Sequence, residues 1–144
     1  MAIDVESGVT LLAVYDVPTS IAFYRDVLGF EVIQTSTPFD DAKDNYGWAM
    51  LRKNFAYLML NNMYEDNIRP EEPDASRSSH HGDTTIYFAC GDVDAAADFL
   101  RSKGVTVHGP MDTHYGMRQV RILDPDGYGL VFQHVLRREE EITL

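Results

Sequence analysis

Five histidines, 23 carboxylates and one cysteine are the side chains of this 144-residue chain that could carry acid–base, nucleophilic or metal chemistry. Their spacing limits what they can do. His80 and His81 are adjacent at the end of a polar segment, His108 falls on a short strand-like stretch, His114 in a loop, and His134 follows Gln133. A divalent ion needs three or four donors converging on one point. The arrangement these residues offer is His81 or His114 with Gln133; histidines in loops and on the surface are the plainer reading. The carboxylates Asp40, Asp41, Asp44, Glu71 and Glu72 lie in loop-like stretches where solvation accounts for them. A lone Cys90 excludes an internal disulfide and a cysteine-based zinc cluster, and suits a small apolar filler in a buried strand. No Ser-His-Asp arrangement, phosphate-cradling glycine loop or cysteine nucleophile stands out.

Composition narrows the partners. A net charge of −11, with only 12 Lys and Arg, argues against nucleic acid, because phosphate binding needs clustered cations. Anionic membranes are disfavoured for the same reason. The same field would draw in a cationic small ligand, and it also keeps the chain soluble. With 44% hydrophobic residues the chain is globular. Its length suits one domain over residues 1–144, or two small modules sharing a core. No apolar run approaches the roughly 20 residues of a membrane span, and the start MAIDVE has neither the basic nor the apolar region of a signal peptide. A cytoplasmic protein is expected, and a single cysteine fits a reducing compartment.

The elements that must position any site follow from periodicity. Val9 to Val14 reads as a buried strand. Pro18 fits the first turn of a helix over Thr19 to Leu28, with Ile21, Tyr24 and Leu28 on one stripe and Gly29 as its stop. Strands follow at Phe30 to Thr35, Gly47 to Arg52 and Phe55 to Asn61, the last two joined about Lys53-Asn54. Residues 63–83, with Pro70, Pro73 and a serine-rich run, cannot bury a face and read as a linker loop. The first pattern then returns: a strand over Thr84 to Cys90, a helix over Asp94 to Lys103 with Ala96, Phe99 and Leu100 on one face, the stop Gly104, and a strand at Val105 to Val107. A hairpin over Val120 to Leu123 and Tyr128 to Gln133 closes the unit around Asp124-Pro125-Asp126-Gly127, which has turn chemistry. Asp92 lies 76 residues after Asp16 and Gly104 lies 75 after Gly29, so the chain reads as two copies of one unit. The expected fold is α+β: tandem β-α-β-β-β modules over 8–62 and 84–136, followed by a charged tail over 137–144.

The run DVPTSIAFYRDVLGF from Asp16 to Phe30, with Asp124-Pro125-Asp126-Gly127-Tyr128 near the other end, resembles the vicinal oxygen chelate superfamily, also called the glyoxalase, bleomycin resistance and dioxygenase superfamily. The resemblance covers the chain apart from the linker and the tail after Val135. It implies a curled mixed sheet from each module, helices on the outer faces and a concave pocket within. It also implies, in catalytic members, one metal ligand on the first and last strand of each module, the ion acting on a substrate that chelates it. Those positions fall at Val9, Met59, Thr85 and Val131 here, and none is a usual ligand for a hard or borderline cation. The resemblance is therefore to the metal-free, bleomycin-resistance-like branch, with no metal and no cofactor, and it implies a homodimer.

Strand alternation tests that register. One face collects Val9, Leu11 and Ala13; Tyr57, Met59 and Asn61; Thr85, Tyr87 and Ala89; and Gly129, Val131 and Gln133. The opposite face is almost wholly apolar, as a face packed on helices should be. The first set has the mixed composition of a small-molecule pocket. Expected pocket residues are Trp48, Tyr57, Met59, Asn61, Thr85, Tyr87, Tyr115, Arg118, Val131 and Gln133. Trp48 or Tyr57 would stack on a flat ligand, and Arg118 or Arg121, whichever faces inward, would favour an anion. His134 should point away from the pocket.

Three functions are compatible with these residues. The first is a protein that sequesters a small organic, antibiotic-like compound without metal or chemical step. The second is a metal-dependent lyase, isomerase, dioxygenase or thiol transferase with displaced ligands. The third is a non-catalytic interaction module.

Overall fold

The computed structural model describes residues 2–40, 44–65 and 68–136, so the 137–144 tail and Asp41 lie outside the described residues. The chain divides into two compact units, Met1–Asp74 and Ala75–Leu144, and the division falls inside the 63–83 segment. Each unit holds one four-stranded mixed sheet with a helix on one face, and the order of elements is β-α-β-β-β in both.

In the first unit, β1 (Thr10–Val14) leads into α1 (Val17–Ile21), and β2 (Glu31–Thr35), β3 (Trp48–Lys53) and β4 (Ala56–Asn62) follow. The sheet order is β1-β4-β3-β2, with β1 parallel to β4 and the other pairs antiparallel. Asp16 caps α1 by accepting from the Thr19 amide at 3.1 Å, and Pro18 sits in the first turn where no amide donor is needed. The expected single helix over Thr19 to Leu28 is instead α1 followed by a wider π-helical turn over Ala22–Val27, in which the Leu28 amide reaches back to Phe23 O at 3.1 Å. Tyr24, wholly buried in that turn, meets Phe23 and Phe30 edge-on at 5.2 and 5.9 Å. Ile21, Tyr24 and Leu28 are all buried, as the stripe requires.

The second unit opens with two short turns inside the expected linker, α2 (Ala75–Ser78) and a 3-10 turn at His81–Asp83. Its sheet is β5 (Thr85–Ala89), β6 (His108–Asp112), β7 (Met117–Leu123) and β8 (Gly129–Val135), in the order β5-β8-β7-β6, with α3 (Val93–Ser102) capped by Asp92. Gly29 and Gly104 end their helices at φ of +80° and +79°. The internal repeat holds in the pairing itself: Leu11 opposes Met59 and Tyr87 opposes Val131, with Tyr87 again 76 residues after Leu11.

Two local expectations are corrected. No strand forms at Val105 to Val107; β6 begins at His108 and runs through Gly109-Pro110. Proline is tolerated there because β6 is an edge strand, where its missing amide leaves no ladder bond unmade. On α3 the buried stripe is Val93, Ala97 and Leu100. The helix starts one residue earlier than the pattern suggested, and Phe99, 50% exposed, lies against the Lys103 ammonium instead.

The face assignment follows from burial. Leu12, Val14, Leu58, Leu60, Ala49 and Leu51 are buried in the first unit with Val17 and Ile21 of α1. In the second, Val120 packs with Val93 and Ala97, with Cys90, Val107 and Phe132 around them. Each fully buried aliphatic side chain of this kind contributes about 1.5–3 kcal/mol. These contacts fix the strands so that the alternate residues face away from the helix.

Candidate functional site

At one end of the first sheet lies a cleft of about 760 Å³, lined among others by Ser36, Phe39, Trp48, Asn61, Met63 and Tyr64. Its walls come from the ends of β2, β3 and β4 and the chain that follows them. Ser36 holds these ends together: its Oγ accepts from the amides of Gly47 and Trp48, both at 3.1 Å, while its own amide donates to Trp48 O at 3.0 Å. Phe39 lies directly on Gly47, where a Cβ would stand 2.8 Å from the ring tip, so a side chain at 47 would push the aromatic wall outward. On the other side, the Met63 amide bonds Val14 O and the Asn62 amide bonds Gly47 O, each at 2.8 Å. The Asn62 Oδ1 is buried with no hydrogen-bond partner among the described residues. Aromatic and thioether walls with a few amide and hydroxyl groups suit a small organic molecule.

Of the expected pocket residues in the first unit, Trp48 and Asn61 line this cleft and oppose one another across β3 and β4. Tyr57 and Met59 share their face along β4, where Tyr57 is 44% exposed and Met59 lies between Leu11 and Met50. Ser36, Phe39, Met63 and Tyr64 were not anticipated; they belong to chain ends that no periodicity places.

On the second unit, Thr85, Tyr87, Val131 and Gln133 share the face turned away from α3. Tyr87 is 56% exposed, whereas Val131 is only 3% exposed and offers little surface. Gln133 Oε1 accepts from Gln119 Nε2 at 2.8 Å, and the same amide lies 3.0 Å from the Tyr115 hydroxyl, so Gln119 joins this group. Arg118 does not. It opposes His134 on the helix side and forks onto Asp94 of α3 at 2.8 and 2.9 Å, with Asp112 at 2.7 Å. Strand parity is the reason: Val120 and Ile122 face α3, Arg118 shares their parity, and Arg121 takes the other side opposite Val131. These ion pairs hold the Asp94 carboxyl below its ordinary range. His134 also faces the helix, where its Nδ1 lies 3.3 Å from the Val93 amide. His81 is stacked on Tyr128 with ring centroids 4.1 Å apart, its Nδ1 2.7 Å from Asp126 O.

A family model described as the Glyoxalase/Bleomycin resistance protein/Dioxygenase superfamily matches residues 7–132. The chain belongs to this superfamily. No curated protein matches it in sequence. Among solved structures it is similar to a glyoxalase/bleomycin resistance protein/dioxygenase from Nocardioides, with a TM-score of 0.69 and 16% identity over 94% of this chain and 87% of that one. It is also similar to TnmS3, an antibiotic-binding protein from Streptomyces sp. CB03234, with a TM-score of 0.64 and 23% identity over 94% and 98%. A virulence protein from Salmonella typhimurium gives 0.63 and 25% over 94% and 100%. At these identities the likeness establishes the fold.

The superfamily's metal positions can be tested against the side chains present. Val9 precedes β1, Met59 is central in β4, Thr85 opens β5 and Val131 is central in β8. Two hydrocarbons, a thioether and a hydroxyl do not fit a divalent ion. Among the described residues no three His, Cys, Asp or Glu side chains come together as a metal group. Among them, too, no helix is long and apolar enough to cross a membrane.

Proposed function

We propose that this member of the superfamily binds a small organic, antibiotic-like compound without metal and without a chemical step. The observation that carries the reading is the aromatic cleft of about 760 Å³ at the end of the first sheet, built on Trp48, Phe39 and Tyr64 with amide and hydroxyl groups between them. Its volume lies in the range of small-molecule sites, roughly 300–1,000 Å³. The similarity to an antibiotic-binding protein supports the same class of function. Glu65 is the one charged side chain among the described residues lining the cleft, and the net charge of −11 adds a field that attracts cations. A flat cationic ligand stacked on Trp48 fits both. Nothing in the reading needs nucleic acid or membrane, and it places the protein in the cytoplasm as a homodimer.

Trp48 is the chain's single tryptophan, so ligand entry should be read directly in its fluorescence. Titration with a panel of aromatic cations, neutral aromatics and aromatic anions is expected to give saturable quenching, with Trp48→Leu and Asn61→Ala weakening the best ligand at least tenfold. Stoichiometric Fe, Zn, Mn or Ni in protein purified without chelator, supporting turnover that a chelator abolishes, would overturn the metal-free reading. Sedimentation at micromolar concentration tests the homodimer, and a monomer would refute it.

A further inference from the structure

Most described arginines of this acidic chain hold carboxylates. Arg25 pairs with Asp26 and Asp44, Arg52 with Glu31, Arg69 with Asp16, and Arg118 with Asp94 and Asp112. Arg121 differs. It is half-buried in the middle of β7, on the face turned away from α3, and its hydrogen bond among the described residues goes to the neutral carbonyl of Gly82, 3.2 Å from Nη2. A guanidinium that holds no carboxylate keeps N–H donors for an anionic ligand. In a chain with 23 carboxylates, the one Arg at this face has none among the described residues.

A second donor stands beside it. A Cβ built on Gly129 would lie 2.7 Å from Thr85 Oγ1 and 2.9 Å from Arg121 Nη2, so hydroxyl and guanidinium both lie over the Gly129 backbone, where a side chain would displace them. No side-chain hydrogen bond occupies the Thr85 hydroxyl among the described residues. The guanidinium is a donor-only planar fork that matches the geometry of a carboxylate or phosphate, and an adjacent hydroxyl can donate to the same oxygen.

We propose that Arg121 and Thr85 form an oxyanion-binding site on the face of the second unit turned away from α3, taking the carboxylate or phosphate group of a small ligand. The site rests on the second unit's own residues and stands apart from the cleft reading of the first. With a net charge of −11 opposing approach, selection for the anion is local and made at contact, by the guanidinium fork.

The test titrates the full chain with benzoate and, separately, inorganic phosphate at constant ionic strength, following arginine Nε–Hε resonances by NMR. The expected result is a saturable shift of one resonance, identified as Arg121 by its absence in Arg121→Gln. Arg121→Lys, which keeps the charge and the fold but loses the fork, should bind about tenfold more weakly, the size expected for a lost charge-assisted hydrogen bond. Thr85→Val should weaken binding several-fold, and Arg118→Gln should leave it unchanged. Saturation by benzoate alone identifies a carboxylate site, and by phosphate alone a phosphate site. Absence of saturation with both anions, or undiminished binding in Arg121→Lys and Thr85→Val, overturns the proposal. Quenching of Trp48 in the cleft is a separate readout, so either site can fail without the other.

Discussion

Leu58 and Met59 are neighbours on β4 whose side chains take opposite faces, and truncating each in turn tests the register on which the first unit's cleft depends. Leu58 is 0% exposed against the helix, whereas Met59 is half-buried on the other side. Leu58→Ala removes three buried carbons at about 0.8 kcal/mol each, and the cavity adds about 24 cal/mol per Å³ that does not collapse. The sum is about 3 kcal/mol, within the roughly 2–5 kcal/mol span for such truncations. Met59→Ala leaves no closed cavity and should cost about 1 kcal/mol or less. Urea unfolding followed by Trp48 fluorescence reports the first unit, since Trp48 opens β3 in the same sheet. With m near 1.5 kcal/mol/M, Leu58→Ala should lower the midpoint by about 2 M at unchanged m. Met59→Ala should move it little. An equal or larger loss for Met59→Ala would mean that β4 presents the other parity to the helix, and the face assignment would fall with it.

The Asp16 carboxyl is half-buried, which by itself raises its pKa, but hydrogen bonds from Thr19 and Arg69 and the nearby guanidinium charge prevail and hold it below the usual range. Its stabilisation is therefore complete above the unfolded value of about 3.9 and is lost as pH falls through the lower folded value. Thermal unfolding from pH 2 to 7 should show Asp16→Ala costing about 1 kcal/mol at neutral pH through the lost cap, with a flatter acid limb below about pH 4; an unchanged acid limb would refute the pairing. At Gly109 the backbone has φ of +105°, and a Cβ would stand 2.7 Å from the Gln119 carbonyl oxygen. Gly109→Ala should cost about 1–3 kcal/mol and accelerate amide exchange across β6 and β7, and exchange unchanged from wild type would refute it. Burial pushes the Cys90 thiol above its ordinary range, so less thiolate is present at pH 8. Disulfide-exchange labelling should be slower than for free cysteine and normal in denaturant, and fast labelling of the folded chain would contradict that burial.

What the sequence disclosed and what it withheld divide along one physical line. Asp16 and Asp92 mark helix starts and Gly29 and Gly104 mark stops because capping and left-handed backbone are decided within a few residues. Alternation placed Leu58 and Leu60 against the helix because a strand's faces follow from its own parity. The same rule holds for β7: the apolar pair Val120 and Ile122 assigns Arg118 to the helix side and Arg121 to the other. The π-helical turn at Ala22–Val27 left no mark, since one shifted hydrogen bond keeps Ile21, Tyr24 and Leu28 on the same side. Strand β6 is not legible in the sequence because propensity counts Pro110 against a strand, and its place at the sheet edge is set by the whole unit. The cleft is a different case. Phe39 closes on Gly47 and Ser36 holds two amides through contacts that depend on where the loop backbone runs, and that path is set by the whole unit. Residues on strand faces can thus be read from parity, whereas the loop residues that complete a pocket become visible only once the strands beneath them are in place.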